Sequence, residues 1–279
     1  LDKHRKNLEI LRKTQPDIVA EFFDLAEPGE WEKYFEDADV VVMLQAQING
    51  SIEETFVRNN VTSTKLILNV MKRNKVPYVV HISSSVVESV ANDHYSNTKH
   101  LQEQIVLESD IAKVVLRPTL MFGWFDRKHL GWLSRFMKKV PIFPIPGNGK
   151  YMRQPMYVQD FCNIIISCIE NRISDQIFNI TGLERVDYID IIRAIKKATK
   201  AKTIILLIPY RMFYILLKIW GIFDRYPPFT AEQLTALVAR DEFEVIDWPE
   251  IFKIAPTPFG DAIQQTYTHP VYSKIVLDF

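Results

Sequence analysis

The feature that most constrains this chain is a repeated switch of hydrophobic period over its first 120 residues. DIVAEFFDL (17–25), DVVVMLQAQ (39–47), VPYVVHISS (76–84) and IAKVVLRPT (111–119) are short apolar runs rich in Val, Ile and Phe, the composition of strands. Their apolarity is continuous rather than alternating, which suits strands buried on both faces. Between them, GEWEKYFED, SIEETFVRNNVTSTKLILNVMKRNK and HYSNTKHLQEQIVLES carry apolar residues at three-to-four spacing with charges between, the period of amphipathic helices. Strand alternating with helix predicts right-handed crossovers and a parallel sheet, an α/β fold.

After Pro118 the texture changes. PIFPIPGNGKYMRQP concentrates Pro and Gly, and the regular alternation stops. This predicts a first domain over 1–120 and a second, smaller region over 121–279, partly interleaved with the first and set over the carboxyl ends of the strands, where open α/β sheets bind ligands.

Charge and cysteine content exclude several classes of partner. Lys plus Arg equals Asp plus Glu at 34 each, so the chain lacks the basic footprint of a nucleic-acid binder or a polybasic membrane anchor. Cys162 and Cys168 are the only cysteines, and neither stands at ligand spacing from a His or Cys, so no metal site or disulfide framework is expected. The reading is a cytoplasmic protein with a small-molecule partner. The start at Leu1, without an initiating methionine, signal segment or transit pattern, reads as a fragment or processed product.

Within HISSSVVESVANDHYSNTK (81–99), Ser84 falls at the end of a predicted strand, and Tyr95 and Lys99 open the next helix at i and i+4, on one face. A phenol with a pKa near 10 is a poor base at neutral pH, but a neighbouring ammonium favours the phenolate, and a serine hydroxyl can hydrogen-bond the same substrate oxygen. The spacing alone also describes an exposed helix face with turn serines before it.

The surrounding segments give the trio a context. NVTSTKLILNVMKRNKVPYVVHISS, YSNTKHLQEQ with Glu103, LRPTLMFG (116–123) and RQPMYVQD (153–160), in that order, resemble the extended and atypical short-chain dehydrogenase/reductases, the NAD-dependent epimerase/dehydratase family. The resemblance implies a Rossmann-like doubly wound parallel sheet. It makes Tyr95 the general acid/base, Lys99 the residue that lowers the Tyr95 pKa and holds the nicotinamide ribose, and Ser84 the hydroxyl partner, with Ser85 the alternative.

On the substrate side the resemblance adds Ser85, Phe122 and Arg153, the last toward a nucleotide-sugar pyrophosphate that a guanidinium fork suits. Toward the cofactor it implies Asp24 and Leu25 at the adenine, Leu44, Ala46 and Gln47 beside the pyrophosphate, and Pro118 near the nicotinamide. A glycine-rich strand-to-helix turn is missing from the chain. The expectation is therefore that a first strand and helix precede Leu1, which makes Asp2 the acid at the adenine ribose and favours NAD, with NADP the alternative. The chain also departs from the family pattern: Tyr95 stands only eleven positions after Ser84, position 88 is Glu, and Ser85-Val86 stand where dehydratases carry an acidic pair.

These features imply an NAD(P)-dependent epimerase or related oxidoreductase acting on a nucleotide-activated sugar, possible as a homodimer. Two alternatives stay open: a non-catalytic binding or assembly subunit of the same fold, and a carbonyl reductase with a small substrate. Four further expectations concern single segments. Asn60 is either a structural amide of the central helix or a helix-surface amide; Pro146-Gly147-Asn148-Gly149 is either a phosphate cradle or a tight hairpin turn; Asp160 caps the following helix. TIILLIPYRMFYILLKIWGIF (203–223) is a strand followed by a buried helix, in preference to an interfacial helix, with no membrane association expected.

Overall fold

The computed structural model describes residues 1–89, 93–224, 229–238 and 243–277. It divides into two compact units, Leu1–Pro118 with Ile165–Asn179, and Thr119–Ile164 with Ile180–Phe279. The second, expected to be the smaller, holds the larger share of the chain because the whole C-terminal tail belongs to it.

The first unit is built on a four-stranded sheet in the order Val41–Met43, Tyr78–Ile82, Ala112–Pro118, Gln176–Ile180. The first three strands pair in parallel, with Val41 opposite Val79 and Val80 opposite Val114. Every residue of Tyr78–Ile82 is buried, as its unbroken apolarity requires of a central strand. Val70, Met71, Val79, Val106 and Val115 form a core with Trp31 and Phe35, whose rings meet edge to face at 5.4 Å.

Three expected elements are shorter than their patterns, one of them the strand expected over 39–47, which is formed only by Val41–Met43. Residues 17–25 form no strand: Ile18 and Val19 are exposed, and only a single bridge joins Phe22 to Asp2. β-propensity without a partner ladder leaves an extended segment. GEWEKYFED forms a 3₁₀ segment, Glu30–Phe35, after which Asp37 turns the chain at φ 59°. The long central helix is interrupted by π-helical geometry at Val57–Thr62 before continuing as Ser63–Arg73, and the interruption turns Asn59 and Asn60 inward.

In the second unit, Ile142–Pro146 pairs in parallel with Ile204–Ile208, and Met152–Arg153 pairs antiparallel with Val186–Asp187. The helix Tyr188–Thr199 presents Ile189, Ile191, Ile192 and Ile195 to a core that includes Met137, Phe143, Ile145 and Ile263. Pro146–Gly149 is a turn, with the Gly149 N–H donating to the Pro146 carbonyl at 3.2 Å, but not the expected hairpin, because the preceding strand pairs with Ile204–Ile208. Gly149 sits at φ 71°, and a Cβ there would lie 2.7 Å from the Ile189 Cβ, so close packing as well as backbone conformation requires glycine.

Asp160 does not cap its helix. The helix begins at Val158, and the buried Asp160 carboxylate accepts hydrogen bonds from the Thr257 N–H at 2.9 Å and the Thr257 hydroxyl at 2.7 Å, fastening the C-terminal tail. The 203–223 segment is the expected strand and helix, Ile204–Ile208 and Tyr210–Phe223. The helix is not buried, however: only Phe213 and Leu217 are.

Candidate active site

Ser83 continues the ladder of the Tyr78–Ile82 strand, its N–H donating to the Leu116 carbonyl at 2.8 Å. Ser84 then leaves the sheet and caps the 3₁₀ turn Ser85–Glu88, its Oγ accepting from the Val86 N–H at 3.4 Å. Asp93, which sequence reasoning passed over, caps the His94–Leu107 helix by accepting from the Ser96 N–H at 2.8 Å. Strand end and helix start thereby bring Ser84 and Tyr95 together. Burial raises the Tyr95 phenol above its ordinary value, a side-chain hydrogen bond with Ser84 pulls the other way, and the Asp93 charge adds to the rise.

Lys99 lies one turn further along, almost wholly buried. Its Nζ donates to the Ile82 carbonyl at 3.0 Å and to Gln102 Oε1 at 2.6 Å. Burial brings its pKa down to about 8, against a smaller upward pull from Glu103. The expectation that Lys99 depresses the Tyr95 pKa is not met in this geometry. The ammonium is engaged by an inward carbonyl and amide, and the groups that shift the phenol are its own burial, Ser84 and Asp93.

A polar network missed from the sequence backs these residues. Gln102 Nε2 donates to Thr64 Oγ1 at 2.9 Å and to the Gln45 carbonyl at 3.3 Å. Glu103, also buried, accepts from the Ser83 hydroxyl and from the Arg117 guanidinium, whose Nη1 meets Glu88. Glu88, whose carboxylate also accepts from Asn179 Nδ2 at 3.1 Å, is thus part of the support of the strand end. Beside them His81 is fully buried, with both ring nitrogens unpartnered and a pKa held well below its ordinary value by burial and by the Lys99 charge. The imidazole is neutral at physiological pH.

Asn60 is the structural amide, not a surface one. It is fully buried, its Oδ1 accepts from the Gln47 N–H at 2.6 Å, and its Nδ2 donates to Thr98 Oγ1 at 3.0 Å. It ties the segment after Val41–Met43 to the helix carrying Tyr95. On that segment the side chains of Leu44 and Ala46 are exposed, while Gln47 Oε1 accepts from Asn59 at 2.9 Å.

Asp2 turns back on its own chain, accepting from the His4 N–H at 2.7 Å and Asn7 Nδ2 at 2.8 Å. Asp24 pairs with Arg58 at 2.7 Å. Burial alone would raise its carboxyl, but hydrogen bonds from Arg58 and the Ala26 N–H outweigh that and hold it below the ordinary value. Leu25 packs at the edge of the core and Pro118 ends its strand buried. Ser85, half-buried, begins the 3₁₀ turn.

In the second unit, Phe122 is buried against Tyr157 and Phe259, with ring centroids 5.5 and 5.6 Å away, at the wall of a cavity of about 160 Å³. Arg153 is buried too, donating to the Met152 carbonyl at 2.7 Å and to the Leu237 carbonyl. Among the described residues no group of His, Cys, Asp or Glu could hold a metal ion.

The arrangement suits proton transfer at a hydroxyl or carbonyl oxygen: a phenol and a hydroxyl hydrogen-bonded together, with a buried cation one helical turn beyond. Toward a dinucleotide the chain presents the half-buried Ser84 and Tyr95 side chains at one place and the exposed run at residues 44 and 46 at another. The 279 residues hold no glycine-rich cradle, so what this chain offers a pyrophosphate is the backbone of residues 44–47.

Residues 3–181 match the model of the "NAD dependent epimerase/dehydratase family". Human short-chain dehydrogenase/reductase family 42E member 1 is 29% identical over 150 residues, which cover 42% of this chain and 38% of that protein. The mitochondrial NADH dehydrogenase [ubiquinone] 1 alpha subcomplex subunit 9 of Arabidopsis thaliana is 24% identical over 156 residues, 52% of this chain and 38% of that protein. The chain thus covers well under half the length of either relative. In structure it is similar to UDP-glucuronic acid 4-epimerase from Bacillus cereus solved with NAD (TM-score 0.67, 19% identity, 96% of this chain and 86% of that one). It is also similar to UDP-glucose 4-epimerase from Thermotoga maritima solved with UDP-glucose (TM-score 0.65, 15% identity, 88% and 83%). These likenesses agree with the parallel α/β architecture.

Proposed function

This chain belongs to the NAD dependent epimerase/dehydratase family, and on that footing we propose that it is an NAD-dependent epimerase, or a related oxidoreductase, acting on a nucleotide-activated sugar. The observation that carries the reading is the meeting of the Ser84 strand end with the start of the helix that carries Tyr95, with Lys99 buried one turn beyond it. Two structural neighbours support the substrate class: one is a UDP-glucuronic acid epimerase with NAD, the other a UDP-glucose epimerase with UDP-glucose.

Bound NAD would supply the acceptor and donor of hydride. Residues 44–47, Asp24, Lys99 and Pro118 are our candidates for holding it, with Asp2 at the adenine ribose. Tyr95 Oη would take the proton from a sugar hydroxyl and return it to the carbonyl oxygen, and Ser84 Oγ, with Ser85 as its alternate, would hydrogen-bond that oxygen. The raised phenol pKa keeps Tyr95 protonated at neutral pH, so the phenol has to release its own proton before it can take the one from the sugar hydroxyl, and in its protonated form it serves as the acid toward a carbonyl oxygen. Phe122 would wall the sugar. Arg153 would meet the pyrophosphate with guanidinium N–H groups beyond those that hold the Met152 and Leu237 carbonyls.

The test is calorimetric titration of NAD into the 279-residue chain, followed by NMR detection of UDP-sugar epimer interconversion by wild type and Tyr95→Phe. The expected result is NAD binding in both, with turnover lower by roughly 100- to 10,000-fold in the variant, the range for loss of a general acid/base. Turnover indifferent to Tyr95→Phe would sink the assignment. The inward hydrogen bonds of Lys99 favour a second reading, a non-catalytic binding or assembly subunit, and a chain that binds no NAD would support it.

A further inference from the structure

Residues 203–223 contain no Asp or Glu and two basic residues, Arg211 and Lys218, in a chain whose charges balance overall at 34 and 34. Within them, the Tyr210–Phe223 helix packs inward through Phe213 and Leu217, against Ala231 and Leu234. The rest of its apolar surface faces out: Ile215, Leu216, Ile219 and Trp220 are about half exposed, Ile222 is 78% exposed and Phe223 85%. Exposed large apolar residues are ordinary when scattered and informative when contiguous.

At about 100° per residue, Ile215, Ile219 and Phe223 fall within roughly 80° of one another on the helix, and Ile222 and Leu216 extend the stripe to either side. Arg211 and Lys218 fall together along one border of this stripe, and Lys218 Nζ lies 5.7 Å from the Tyr214 ring centroid. The stripe is thus bordered by cations and aromatic rings along the helix, with the Asp224 carboxylate at its C-terminal end accepting from Trp220 Nε1 at 3.2 Å. A protein partner's interface would be served as well by a rim of either sign. A cation-bordered apolar stripe with Trp and Tyr complements anionic headgroups above an acyl layer.

Geometry selects the mode of contact. Fourteen residues at 1.5 Å each give about 21 Å, short of the roughly 30 Å hydrocarbon core. None of the helices among the described residues is long and apolar enough to cross a membrane. We propose that the Tyr210–Phe223 helix docks flat on an anionic lipid surface, with Ile215, Ile219 and Phe223 in the headgroup–acyl boundary and Arg211 and Lys218 at the phosphates. The inference is independent of the proposed chemistry, since it rests on a different helix and on no residue assigned to the active site.

The test is flotation of the 279-residue chain with phosphatidylcholine vesicles, with and without phosphatidylserine. The chain is expected to float with the phosphatidylserine vesicles and to remain largely behind with phosphatidylcholine alone. Ile215→Glu combined with Ile219→Glu should lower the bound fraction about tenfold or more, and Arg211→Gln with Lys218→Gln should do so at low salt by roughly tenfold. Both pairs are exposed, so thermal melts should match wild type and separate lost docking from lost folding. Failure to float, or flotation indifferent to both pairs, overturns the proposal. So does self-association in sedimentation velocity that the Ile pair abolishes without any vesicle binding, which would assign the face to a second copy.

Discussion

The His94–Leu107 and Tyr210–Phe223 helices are both fourteen residues long and distribute polarity in opposite ways. The first buries Ser96, Thr98, Lys99, Gln102 and Glu103 and leaves Leu101 and Leu107 partly in solvent. The second buries two apolar residues and exposes most of the others. Each inversion has a cost, because buried polar groups require partners and exposed apolar groups order water. In the first helix the cost is met internally by carbonyl, amide and carboxylate partners. In the second, the described residues leave the stripe uncovered. Inverted polarity therefore marks two kinds of site, one satisfied within the fold and one awaiting a surface.

The sharpest way to break the first helix is to remove its buried anion. Glu103 is 5% exposed and its partner Arg117 15%, so Glu103→Ala leaves a desolvated guanidinium without its main counter-charge and the Ser83 hydroxyl without its acceptor. The expected loss is about 3–5 kcal/mol of unfolding free energy, read from urea titration. Glu103→Gln should recover part of it. A loss below about 1 kcal/mol would mean that solvent reaches the pair and that the helix's interior is less dry than its burial implies.

A smaller effect, of opposite sign, comes from the buried cation. Lys99 has a folded pKa of about 8 against its ordinary 10.5. Between those values the unfolded chain keeps a proton that the native chain has released, so stability should rise with pH across this window, by ~3 kcal/mol at most. Lys99→Met removes the titration. The difference between wild type and variant, followed by chemical denaturation from pH 7.5 to 10, isolates it from tyrosines whose raised values act the other way. A flat difference would place the Lys99 ammonium in contact with water.

The two helices were not equally legible in the sequence. The strand–helix alternation announced the parallel sheet because continuous apolar runs and three-to-four spacing are local properties. The Ser84–Tyr95–Lys99 grouping was legible through spacing and through the neighbouring motifs that resemble the family. What supports that grouping was not: Gln102 with Thr64 and Gln45, Glu103 with Arg117, and Arg58 with Asp24 pair residues 14 to 57 positions apart. No local pattern encodes such pairs. Residues 203–223 failed for a related reason. Periodicity reports that a helix has an apolar side but is silent on how much of it the fold covers, and the expectation of burial assumed a cover that two residues alone receive.

The smallest effect sharpens that last point. Leu217 and Ile222 sit on one helix, with similar volume and hydrophobicity, at 7% and 78% exposure. Ile222→Gln should change unfolding free energy by less than about 0.5 kcal/mol, the ordinary range for a surface position. Leu217→Ala should lose on the order of 2–4 kcal/mol from the small core it shares with Phe213 and Leu234. If Ile222→Gln destabilises as much as Leu217→Ala, the outer stripe is covered in solution, and sedimentation velocity on the same samples would reveal the second copy that covers it. If it is neutral, the stripe is open to water in the isolated chain, which is the condition that docking on a lipid surface requires.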